Sequence, residues 1–118
     1  MVKAGIEKPG EAYDLVTHQK INWEAAHIVP AARSNQWADL SKAHLEKLGI
    51  WADHPSNGVW LDRAYHRGAG TGGNPGGIHT EYFDRNVYEA IRNTKTFEQA
   101  VEELRTIAEQ VAAGKFPY

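Results

Sequence analysis

The chain has 118 residues, 42% of them hydrophobic and 24% charged, a size and balance that predict one packed domain and exclude collagen-like, low-complexity or wholly disordered structure. It has no cysteine, so disulfides, thiolate zinc sites, iron–sulfur clusters and a cysteine nucleophile are excluded, and any transition metal must be held by His, Asp or Glu. Lys and Arg number 13 against 15 Asp and Glu, a formal charge of −2, so there is no chain-wide basic field and any contact with a polyanion must be local.

No apolar run reaches the ~18 residues that cross a bilayer, and the opening from Met1 to Leu15 lacks the apolar centre of a signal peptide. Lys8-Pro9-Gly10 reads as an extended linker, so residues 1–16 are expected to form a junction and 17–118 the folded domain. Between Thr17 and Ala32, the apolar run Ala25-Ala26-His27-Ile28-Val29 closes at Pro30, which predicts a short strand or hairpin arm. Trp37, Leu40, Leu45 and Leu48 fall on one helical face, predicting a helix from Ser34 to Gly49 with Ser34 as N-cap and Gly49 in the left-handed position that ends it.

Asp53-His54-Pro55-Ser56-Asn57-Gly58 is dense in turn formers, and Val59-Trp60-Leu61 follows as a second short strand. Six of the twelve residues between His66 and His79 are glycine, a stretch with high backbone entropy and no apolar material to pack, expected to be mobile or to be ordered by something else. Thr80 caps a helix through Asn93 with Phe83, Val87 and Ile91 on one face. Thr96 and Gln99 make a capping box for a last helix. Its predicted buried stripe is Phe97, Val101, Leu104, Ile107 or Ala108, and Val111, and Gly114 ends it. Glu98, Glu102, Glu103 and Glu109 put much of the acid on that helix, which reads as scaffold.

With no cysteine, the histidines are where metal or acid–base chemistry has to be sought. His27 lies in an apolar strand, where its ring needs a hydrogen-bond partner or a task; a core histidine satisfied by a backbone carbonyl is the alternative. His66 and His79 flank the glycine-rich stretch and suit a metal, the alternative being two surface histidines. His18, His44 and His54 have no such context and are taken as surface residues. Asn57-Gly58 alone is only a turn signal.

The order His27, Asn57, His66 laid over strand, turn and strand carries more. With Ala25-Ala26-His27-Ile28-Val29-Pro30, Gly49-Ile50, Asn57-Gly58-Val59-Trp60-Leu61 and His79 before a helix, the chain from about Trp23 to Ile91 resembles the AHH nuclease family of the HNH, or ββα-metal, endonucleases. Many members of that family are C-terminal domains of bacterial polymorphic toxins. The resemblance implies an α+β fold, a ββα-metal (His-Me finger) core with additional flanking helices. It implies His27 as general base, His66 and His79 as metal ligands, and Asn57 as the residue that fixes the base-bearing loop. The family is named for Ala-His-His, and here the matching residues are Ala25, Ala26 and His27. Ala26 therefore stands at a vacated ligand position, and an inactivating replacement, of the kind that lets a toxic enzyme be produced, is favoured over a natural variant.

The implied activity is hydrolysis of DNA phosphodiesters with a divalent ion, Mg²⁺, Mn²⁺, Zn²⁺ or Ni²⁺, imidazole ligands favouring the later transition metals. Asp62, Glu81 or Asp84 could add an oxygen ligand, and Arg63 and Arg67 bracket His66 as candidates for phosphate contacts. The expected setting is a secreted or translocated effector acting in the target-cell cytoplasm, with a cognate immunity protein as partner and no membrane insertion. An exposed Trp23 or Trp51 would be an anchor for that inhibitor. An RNA-cleaving enzyme, a non-catalytic derivative that binds nucleic acid or protein, and a structural metal domain are the alternatives.

Overall fold

The computed structural model describes residues 23–31, 34–62, 78 and 80–118. Strand β1 (Trp23–His27) pairs antiparallel with β2 (Gly58–Asp62), in a register running from Trp23 opposite Asp62 to His27 opposite Gly58. Around this sheet stand α1 (Gln36–Lys47), α2 (Glu81–Ile91) and α3 (Phe97–Ala112), with a 3-10 turn at Pro55–Asn57 leading into β2. The fold is α+β, as expected, and consistent with a ββα core. None of the described helices is long and apolar enough to cross a membrane.

A lone two-stranded sheet is marginal in water and needs a helix to cover it. Here α3 packs on β2 and on the 3-10 turn, while α1 packs on α2. Side chains alternate across the strands, so Ala26 and Leu61 enter the core with Ile28, Val29, Leu45, Ile50, Phe83, Val87, Ile91, Leu104, Ile107 and Val111. Ile78 is also buried in that core. This corrects the expectation that the glycine-rich stretch brings nothing apolar to pack: its last residue is a core residue. The rest of that stretch lies outside the described residues.

The predicted helices form with small shifts. Asn35, not Ser34, caps α1, its side-chain oxygen accepting from the amides of Trp37 and Ala38, while the Ser34 hydroxyl donates to Asp39. The buried face of α1 is Ala38, Ser41 and Leu45; Leu40, assigned to that face from its spacing, is exposed. Gly49 adopts φ +86° just after the helix, where a side chain would be strained. Thr80 and Thr96 cap α2 and α3 as predicted, and α2 stops at Ile91. Gln99 bonds the amide of Lys95 rather than that of Thr96. On α3 the stripe is Ala100, Leu104, Ile107 and Val111, with Ala100 where Phe97 was expected. Phe97 is 40% exposed and turns its ring toward His54.

Candidate active site

Strand β1 stops at His27, and the chain bends at Ile28 and Val29, residues that the sequence placed in the strand. What replaces the ladder there is Asn57. Its backbone carbonyl accepts from the amide of Ile28 at 2.9 Å. Its side-chain oxygen accepts from the amide of Val29 at 2.8 Å, and its side-chain nitrogen donates to the carbonyls of Val29 and Ala52, both at 2.9 Å. Asn57 is fully buried, and a buried amide with its bonds made is rigid and costly to disturb. The result is a three-way tie between the end of β1, the turn before Pro55 and the start of β2.

Position 26 and position 27 face opposite ways. Ala26 is 1% exposed, opposite Val59 on the core side. The His27 ring points to the other face, 30% exposed, opposite Gly58, which has no side chain to cover it. Ring Nε2 lies 2.9 Å from Oδ1 of Asp53, a carboxylate 74% exposed. When Nε2 carries the ring proton it donates to that carboxylate, which leaves the Nδ1 lone pair as the basic atom. His27 thus has a partner, and it is a carboxylate rather than the backbone carbonyl of the bland alternative. Asp53 was legible only as a turn former; nothing in its local sequence points to a histidine 26 residues away.

The turn that presents Asp53 is itself fixed. The amide of His54 donates to the carbonyl of Trp51 at 2.9 Å. His54 Nδ1 then accepts from the amide and hydroxyl of Ser56 and caps the 3-10 turn. His54 is therefore a half-buried structural residue, and His44 likewise is half-buried with Nε2 2.9 Å from the Thr94 hydroxyl; both had been taken as surface residues. Asp84 is buried and accepts from the Asn35 side chain at 2.7 Å, tying the first turns of α1 and α2, whereas Glu81 is exposed. Glu98, Glu102 and Glu103 line an open hollow of about 520 Å³ with Ala90, Asn93, Thr94 and Gln99, an acidic surface unsuited to phosphate.

His66, His79, Arg63 and Arg67, with His18 and the Asp62 carboxylate, lie outside the described residues. Among the described residues no three His, Asp or Glu side chains converge as metal ligands, and Ala26 supplies a methyl group, not a donor. The structure thus brings together His27, Asp53 and Asn57 of the predicted centre and its surroundings.

A family model described as a nuclease family of the HNH/ENDO VII superfamily with conserved Ala-His-His matches residues 12–111. The chain belongs to this AHH nuclease family. No curated protein and no solved structure matches it. Membership implies a nucleic-acid substrate, and HNH nucleases generally use divalent metals. The tripeptide of the family's description is nonetheless absent from this sequence, which reads Ala25-Ala26-His27 at the end of β1.

Proposed function

We propose that this AHH-family domain is a metal-dependent DNA endonuclease, a toxin domain used between bacteria, in which His27 is the general base and Ala26 leaves the site inactive or nearly so. The observation that carries the reading is the His27–Asp53 pair on the open side of β1, with the chain beyond it held by the buried Asn57. Hydrolysis needs a water deprotonated in line with the scissile phosphorus. Asp53 holds the His27 ring by Nε2, and Nδ1 is left to take the proton from that water. Asn57 sets where the ring stands by fixing the backbone at Ile28 and Val29, and Gly58 opposite adds no side chain over it.

His66 and His79 are proposed as the metal ligands, with Arg63 and Arg67 as phosphate contacts. A divalent ion bound there supplies Lewis-acid stabilisation of the phosphoryl and leaving oxygens. The family's Ala-His-His, against Ala25-Ala26-His27 here, supports reading Ala26 as the lost ligand, one that would reach the metal from the core side of β1. A translocated effector needs protection in its producer, so a cognate immunity protein covering this surface is part of the proposal.

Cleavage of plasmid DNA by the Ala26→His variant in Mg²⁺, Mn²⁺, Zn²⁺ or Ni²⁺, with little or none by the present chain, is the expected result; intact plasmid in all four overturns it. RNA digested in parallel decides the sugar, since base and metal chemistry alone do not distinguish the two. One observation favours a second reading. With alanine at 26, a non-catalytic derivative that binds nucleic acid without cutting is consistent with the same fold, and it predicts binding by both variants and cleavage by neither.

A further inference from the structure

Two residues before Asp53 in the same tight turn stands Trp51, the most exposed large hydrophobic side chain among the described residues at 62%. It packs against a second ring. The His54 imidazole meets the indole edge-on at 5.6 Å between centroids and 82°, and Phe97 meets His54 at 5.6 Å and 81°. The His54 ring is bonded to Ser56, and the Ala52 carbonyl is bonded to Asn57, so the turn is tied at its second and its last residue. Trp51 and Asp53 are the first and third residues of one hydrogen-bonded turn, so the indole is carried by the same turn as the carboxylate that holds His27.

We propose that Trp51 is a stacking platform for a nucleobase of single-stranded substrate, next to the phosphate that His27 addresses. The inference rests on His27 marking the reacting centre. Stacking suits these surroundings better than a phosphate contact does, because the turn that carries the indole also carries the exposed Asp53 carboxylate, and a neutral base tolerates a carboxylate that a phosphate does not. The edge contact with His54 favours it too, since a ring already packed along one edge has less rotamer freedom to lose on binding. A duplex keeps its bases inside the stack, so the platform discriminates single strands from duplex without reading sequence.

The test uses the chain as it is, without cleavage. Binding of a short fluorescein-labelled oligothymidylate, an abasic oligomer of equal length and a duplex is followed by anisotropy for the present chain (the parent of the variants), Trp51→Phe and Trp51→Ala, with circular dichroism as the check of folding. Trp51→Ala should weaken oligothymidylate binding by roughly 5- to 150-fold, Trp51→Phe should retain most of it, and duplex binding should be unchanged. Removing the bases should weaken binding by the parent by a similar factor and leave Trp51→Ala nearly indifferent. Equal binding of oligothymidylate by the parent and Trp51→Ala overturns the proposal and leaves the indole to a protein partner. Base removal that weakens Trp51→Ala as much as the parent also overturns it. If the parent chain binds none of the three oligomers and Ala26→His cuts no plasmid, the nuclease site itself has been misplaced.

Discussion

The helical scaffold and the corner around Asn57 are held by different means. The helices are built from local signals: a cap at each start, a glycine after α1 and another soon after α3, and apolar residues at helical spacing. The corner is built from bonds between residues 26 and 28 positions apart, through one amide side chain and one imidazole. A scaffold of repeated small contributions tolerates the loss of one, whereas a corner with a single keystone does not.

The largest effect should come from that keystone. Asn57→Ala leaves the Val29 amide and the Val29 and Ala52 carbonyls without their partner, and at about 1–3 kcal/mol for each buried group left unpaired the loss measured by urea denaturation should be roughly 3 kcal/mol or more. Leu104→Ala, in the middle of the α3 stripe, should cost a comparable ~2–5 kcal/mol. The two differ in activity. In the Ala26→His background, Leu104→Ala should keep its cleavage rate at temperatures where it is folded, while Asn57→Ala should lose cleavage even where it is folded. Equal activity in the two folded variants would erase the distinction drawn between the regions.

Smaller effects sharpen it. Thr96→Ala removes the side chain that caps α3 through the amide of Gln99, and a lower melting temperature matching about 1 kcal/mol is expected, with cleavage unchanged. Asp53→Asn is the converse. The carboxylate is exposed, so denaturation should register at most about 0.5 kcal/mol, yet cleavage in the Ala26→His background should fall, because an amide no longer favours the tautomer with its proton on Nε2. Unchanged cleavage by Asp53→Asn would remove Asp53 from the mechanism.

This contrast also explains what could be read in the sequence. Thr80, Thr96 and Gly49 were legible because capping and left-handed geometry are properties of one residue and its immediate neighbours. Asn57 was legible only through the motif around it, since taken alone Asn-Gly is a turn. The stripe of α1 was misplaced because helical spacing gives a face but not which way it turns; the small Ala38 and Ser41 face the core and leave Leu40 outside. The end of β1 was put two residues late because Ile28 and Val29 have strand propensity, and the amide of Asn57 overrides it. The role of Asp53 was not legible at all, since it depends on a turn folding back against β1, and Trp51 was legible only as an exposed anchor for a protein partner.

The most direct test of the central claim, that His27 is the base of a nuclease site, is the single-turnover rate of plasmid cleavage by Ala26→His compared with Ala26→His/His27→Ala, at equal protein concentration with the activating metal. The account predicts a loss of about 100-fold or more on removing the imidazole, with circular dichroism showing both proteins folded at the assay temperature. Equal rates for the two proteins would contradict it.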